Sequence, residues 1–249
     1  MIARGGKGDN MNSNRKIEAA ILGAFICVGL VLFGYLISRA ALEVKGMDRT
    51  VTVKGLAERE VEANIGIWPI NFNEADNDLS NLYSVIERKS GLVVAFLKKN
   101  GFTDEEITIS QPAIFDRQAQ NYGNAGKSRF RFAASTTVTV YTKNVSLVRD
   151  TMKKVVELVK EGIAISGQDY KNKTEFLFTD LNKIKPAMIE EATKNAREVA
   201  RKFAKDSGSR LGKIKNASQG QFSINDRDAS AQYIKKVRVV STIEYYLSD

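Results

Sequence analysis

The sequence predicts an α+β fold: an N-terminal transmembrane helix followed by a domain whose helices pack on mixed, largely antiparallel sheet. Three observations predict it. The run Ile17 to Ile37 is apolar except for Glu18 at its edge. Several later stretches alternate apolar and polar residues with period two, and others place apolar residues at helical spacing. Their mixed order, without strict strand-helix alternation, favours helices laid on antiparallel sheet.

Taken in order, residues 1–16 read as a flexible tail, and Met11 is a second plausible start. Residues 17–38 follow as the anchor, because about 20 apolar residues at helical rise span about 30 Å of hydrocarbon. A cleaved secretory signal is the alternative, with Ser38-Arg39-Ala40 offering a small-x-small site and a mature chain beginning near Ala41. Arg15 and Lys16 precede the run, while Arg39, Lys45 and Arg49 follow it. That balance gives a slight vote for a cytoplasmic N-terminus. Ala19, Gly23 and Cys27 recur at four-residue spacing, a pattern that lets helices approach closely but is also common in spans.

The domain occupies residues 48–249. In "DRTVTVKGL" Thr50, Thr52 and Lys54 alternate with Val51, Val53 and Gly55. In "EREVEANIGIWPINF" the apolar parity exchanges near Gly66 and Pro69, which predicts a bulge or twist. Leu79, Leu82, Tyr83, Ile86, Val93 and Leu97 predict a helix ended by Gly101, and "ITISQPAIF" a short strand. The Gly- and Asn-rich stretch from Asp116 to Arg129 reads as a long hairpin loop leading into a strand at "FRFAASTTVTVYT". Val148, Met152, Val155 and Val159 predict one helix ended by Gly162, and "KTEFLFT" a strand. The longest helix runs from about Leu181 to Ser207, with Pro186 near its first turn and an inner face of Ala192, Ala196, Val199, Ala200 and Phe203. Ion pairs Glu190–Lys194 and Glu198–Lys202 are expected on its surface. Strands at "LGKIKNASQ" and "YIKKVRVVSTIEYYL" close the chain, the latter with Val237, Val239, Ser241, Ile243, Tyr245 and Leu247 on one face.

Composition removes several chemistries. The 249 residues contain no histidine and one cysteine, Cys27 inside the apolar run. Histidine-based acid/base catalysis, histidine-bearing triads, Cys/His zinc sites and intrachain disulfides are therefore excluded. The formal charge of +9 points toward anionic partners. From Lys183 to Lys215 ten Lys and Arg stand against four Asp and Glu, and this cluster holds most of the excess. Arg197, Arg201, Lys202, Lys205 and Arg210 are the candidate anionic-surface contacts. Aromatics interleaved for base stacking are missing, so nucleic acid is not the expected partner. Glu58, Glu60 and Glu62 share one strand face and read as a solvated edge. Asp226 and Asp228 offer too few oxygens for a calcium loop, and "GNAG" around Gly123 reads as a turn rather than a phosphate loop. No catalytic, metal or cofactor residues are assigned.

Three stretches together resemble the SIMPL-domain family: "RTVTVKGLAEREVEANIGI", "FRFAASTTVTVYTKNVSLV" and "EEATKNAREVARKFAKDSGSRLGKIKNASQG". The third is the most telling, since it combines alanine periodicity with Gly208, Leu211 and Gly212 at fixed offsets. The chain departs from the family in carrying Glu62-Ala63-Asn64 where relatives often have Pro-Asp. The resemblance spans roughly Asp48 to Leu247. It implies a bacterial envelope domain that self-associates, with no catalytic residues to transfer and with stress protection as a family-level suggestion. The expected protein is non-catalytic, membrane-anchored and homo-oligomeric, with its domain in the periplasm or outside the cell and no cofactor. Two other readings stay open: a hydrolase built on carboxylates alone, and a basic docking module for anionic lipid or nucleic acid.

Overall fold

The computed structural model describes residues 9–46, 49–119, 129–166 and 172–248. Helix α1 runs from Asp9 to Gly46. The tail expected over residues 1–16 is thus helical from Asp9, and residues 1–8 lie outside the described residues. Within α1, Glu18–Leu42 form a stretch long and apolar enough to cross a membrane, and every residue of it is exposed. The helix passes through Ser38-Arg39-Ala40 without a break.

The remaining chain falls into two compact units. The first holds Met1–Gly55, Thr193–Gln219 and Ser241–Asp249, and the second Leu56–Ala192 and Gly220–Val240. One sheet has the order β1 (Thr50–Glu62), β9 (Ile234–Ser248), β7 (Arg210–Gln219), and the first unit holds Thr50–Gly55 of β1, Ser241–Ser248 of β9 and all of β7. Antiparallel pairing of β7 with β9 runs from Arg210 opposite Ser248 to Gln219 opposite Ser241, with irregularities on either side of Ile214. Helix α5 (Leu181–Asp206) lays Ala196 and Ala200 on Val53, Ile243 and Tyr245. Alanine at four-residue spacing is what permits this close approach, because no side chain longer than a methyl separates helix from sheet.

The second unit contains a five-stranded sheet, ordered β3 (Ile107–Ile109), β5 (Phe132–Thr142), β2 (Ile65–Asp76), β6 (Glu175–Leu177), with β4 (Ala113–Asp116) also on β5. All its pairings are antiparallel. Trp68, Ile70, Phe72, Val138 and Val140 form its core with Val93, Phe96 and Leu97 of α2 (Leu79–Lys99), Val148 of α3 (Val145–Met152) and Leu158 of α4 (Val156–Lys160). A second cluster packs Met188 and Ala192 of α5 on Ala57, Val237 and Val239.

Several expectations are corrected. The parity change in the opening segment is a change of sheet rather than a bulge: β1 ends at Glu62 and β2 starts at Ile65, and β2 pairs with β5 and β6 instead of β1. Asn64 holds this corner, its side-chain oxygen accepting from the Thr179 amide at 2.9 Å while its amide donates to the Thr179 hydroxyl at 3.0 Å. "ITISQPAIF" contains two strands, split at Gln111-Pro112. The helix expected after Asn144 is two short ones. Tight i to i+3 bonds, from the Lys154 amide to Thr151 and from the Val155 amide to Met152, shift the apolar face, so Leu158 is buried while Val159 is 53% exposed. On α5 the buried stripe is Met188, Ala192, Ala196, Ala200 and Ala204, with Phe203 57% and Val199 37% exposed. Neither Glu190–Lys194 nor Glu198–Lys202 closes to an ion pair. Asp226, placed by the sequence in a loop, ends a further strand, β8 (Ser223–Asp226), paired with β9. The hairpin leading into β5 is present, while Gly123 and its neighbours lie outside the described residues.

Candidate functional site

The third stretch singled out above builds one end of the first unit. Helix α5 stops because Gly208 takes φ +67°, a conformation glycine adopts without a Cβ clash. Its amide donates to Lys205 and the Ser209 amide donates to Ala204, a paired closure that satisfies two of the last helical carbonyls. Leu211 then packs beside the α5–sheet cluster. Gly212 lies so close to β9 that a Cβ there would stand 2.9 Å from the Tyr246 carbonyl oxygen. The glycine-leucine-glycine pattern is therefore a turn, an apolar peg and a close strand approach.

Between α5 and β7 these residues leave a cleft of about 420 Å³, lined by Arg197, Arg201, Leu211, Gly212, Lys213, Ile214 and Tyr245. Arg197 and Arg201 lie one turn apart on α5, and Lys213 comes from β7. Among the described residues no carboxylate lies within ion-pairing distance of any of the three. Tyr245 is only 2% exposed, and its buried hydroxyl has no hydrogen-bond partner. Leaving a hydroxyl so costs about 1–3 kcal/mol.

Of the five cations expected to act together, Arg197 and Arg201 line the cleft, and Lys205 continues their row one turn on. Arg210 opens β7 beyond the turn. Lys202 does not belong to the row, being about 100° round the helix from Arg201. Sequence reasoning counted Lys213 only as charge and placed Tyr245 only on a buried face. The signal for either, an alternating strand reaching a basic helix, is not local.

A family model, SIMPL, described as a protein of unknown function (DUF541), matches residues 51–242. The chain belongs to the SIMPL family. Among curated proteins none matches.

Elsewhere in this SIMPL protein four of the five acidic candidates, Glu62 excepted, are engaged by basic groups. Glu58 pairs with Lys236 at 2.6 Å, and Glu60 with Arg227 at 3.8 Å. Asp226 bonds Lys235, while Asp228 takes Arg227 at 2.8 Å and two backbone amides. No group of three metal-ligating side chains occurs among the described residues. Every carboxylate shift that the structure establishes is downward, the direction opposite to that of a general acid. Glu106 is held below its ordinary range by the Thr103 amide and then by the Thr142 hydroxyl, and Asp116 by Arg131. Glu157 and Glu161 share a shallow hollow beside α2, where Lys99 lies 3.7 Å from Glu157. That pair is open to water and carries its own counter-ion, so it lacks the dry environment that a carboxylate acid requires.

Proposed function

We propose that the protein is a non-catalytic, membrane-tethered SIMPL protein whose folded part lies outside the cytoplasm and acts by binding or by assembly with its own copies. One observation carries the tether: Glu18–Leu42 are helical, carry no charge except Glu18 and Arg39, and are exposed throughout. About 25 such residues extend roughly 37 Å, enough to cross a bilayer with some tilt. Left in water, that surface would be a strong drive to aggregation. Only residues 47–49 separate α1 from β1, so the fold begins where the helix leaves the apolar zone. Arg15 and Lys16 ahead of the run favour a cytoplasmic N-terminus and an exported domain.

A reporter active only outside the cytoplasm, fused after Asp249, tests this reading when combined with sequencing of the mature N-terminus. The expected result is an active reporter on a full-length chain. A silent reporter overturns the export, and a mature chain starting near Ala41 replaces the tether with a cleaved signal. Assembly is tested separately by the mass of the detergent-solubilised protein, which should exceed that of one 27.6 kDa chain at micromolar concentration. Family membership supports assembly and a link to stress protection only by analogy.

A further inference from the structure

We infer that the cleft between α5 and β7 binds the phosphate of an anionic lipid headgroup at the surface of the membrane that α1 enters. The inference rests on the tether proposed above and adds a ligand to it.

Position is the first argument. Arg49, immediately before β1, accepts a backbone bond from the Leu247 amide at 2.8 Å, and Leu247 stands opposite Leu211 on β7. The Arg49 guanidinium also donates to the Ser209 hydroxyl at 3.2 Å. Arg49, Leu247 and Leu211 thus form a row across the sheet, about 10 Å wide at the usual strand spacing. Residues 47–49 can place the start of β1 at most about 14 Å from the end of α1. The cleft therefore opens at the end of the sheet that the anchor holds nearest the bilayer, and the C-terminal turn of α5 with Lys205 lies at the same end.

Charge is the second. Thr193–Gln219 carry eight Lys and Arg against two Asp and Glu, whereas the whole second unit carries 22 against 21. Two guanidiniums one turn apart, with an ammonium opposite, match the several acceptor oxygens of a phosphodiester. Tyr245 is the third argument. Tyr245 lines the same cleft, and its buried hydroxyl has no acceptor among the described residues, so a phosphate oxygen that reached it would satisfy it.

The test uses the full-length chain in non-ionic detergent, titrated with short-chain phosphatidylglycerol, short-chain phosphatidylcholine or inorganic phosphate, with bound ligand counted by native mass spectrometry. Phosphatidylglycerol should bind, phosphatidylcholine should not, and inorganic phosphate should compete only weakly. Each cation removed should weaken binding about fivefold, so the double variant Arg197→Gln/Arg201→Gln should lose roughly 30-fold. Tyr245→Phe should lose a few-fold while the fold is retained, and Lys202→Gln, outside the row, should change affinity by less than twofold. Equal loss in the Lys202 and Arg201 single variants overturns the cleft in favour of diffuse attraction. Inorganic phosphate binding as tightly as the lipid overturns the lipid as its source. A chain processed near Ala41 that still takes up phosphatidylglycerol breaks the tether but not the cleft, and a full-length exported chain that takes up none breaks the cleft alone.

Discussion

The two units handle charge in opposite ways. In the second, cations meet carboxylates within the fold: Lys89 with Glu74, Arg131 with Asp116, Lys235 with Asp226 and Lys236 with Glu58. In the first, Lys215 reaches Glu244 at 3.3 Å, while Arg197, Arg201, Lys205 and Lys213 reach no carboxylate among the described residues. A fold gains nothing from crowding like charges, and exposed ones repel by a few tenths of a kcal/mol per helical pair. The surplus thus contributes nothing to folding, and its presence along one helix row and the facing strand is an argument for a ligand. The paired cations of the second unit teach the converse lesson, that part-buried pairs such as Lys89–Glu74 and Lys235–Asp226 are part of how it folds.

Breaking a structural pair should have the largest effect. Lys89 and Glu74 keep 13% and 19% of their side-chain surface exposed, and the Lys89 ammonium also donates to the Gly162 carbonyl at 2.8 Å. Lys89→Ala should cost about 2–3 kcal/mol, because Glu74 is left desolvated and the turn carbonyl unpaired. Arg201→Gln should cost less than about 0.5 kcal/mol. Trp68, the single tryptophan, is buried in the second unit, so denaturant titration followed by its fluorescence reads the first variant directly. The Arg201 variant needs hydrogen exchange at the β9 amides. Similar losses in both variants would dissolve the contrast between the units.

Tyr245→Phe sharpens the contrast from the other side. Deleting an unpartnered hydroxyl should leave ligand-free stability unchanged or raise it by about 1 kcal/mol, again read by exchange at β9. A loss of more than 1 kcal/mol would mean that the hydroxyl already has a partner in the free protein.

The smallest effect is a pH dependence read in the second unit. Glu106 has a folded pKa below its ordinary value of 4.5, chiefly through the Thr103 amide. A depressed acid contributes stability that is complete above its unfolded value and is lost as pH falls through the folded one. Acid titration followed by Trp68 should show stability falling below about pH 4.5, and Glu106→Gln should flatten that limb. An unchanged limb would assign the acid sensitivity to other carboxylates, such as Asp76 or Asp116, which are also shifted downward.

Much of this was legible in the sequence because it is local. Alternation puts Phe130, Phe132, Ala134, Thr136, Val138 and Val140 on one face, where the last four are buried and the two Phe half-buried, and Val237 to Tyr245 on the buried face of β9, since a strand's period of two needs no partner to be read. Gly101 and Gly162 are expected to end helices, Gly208 directly follows the end expected for the longest one, and each has positive φ. Composition alone removed histidine chemistry, and the length of the apolar run set its capacity to span a bilayer. What tertiary structure decided is everything that depends on which segments meet. Val199 and Phe203 sit at core spacing yet lie exposed, because the alanine stripe beside them takes the sheet. β1 and β2 are consecutive but join different sheets, a choice made by pairing with strands distant in the chain, Asp76 with Phe132 and Gly66 with Thr142 in the case of β2. The cleft joins Arg197 to Lys213 and Tyr245 because β7 pairs with β9 in the observed register. Spacing along a chain encodes which way a side chain faces, but the identity of its neighbour across a sheet is settled only when distant strands pair.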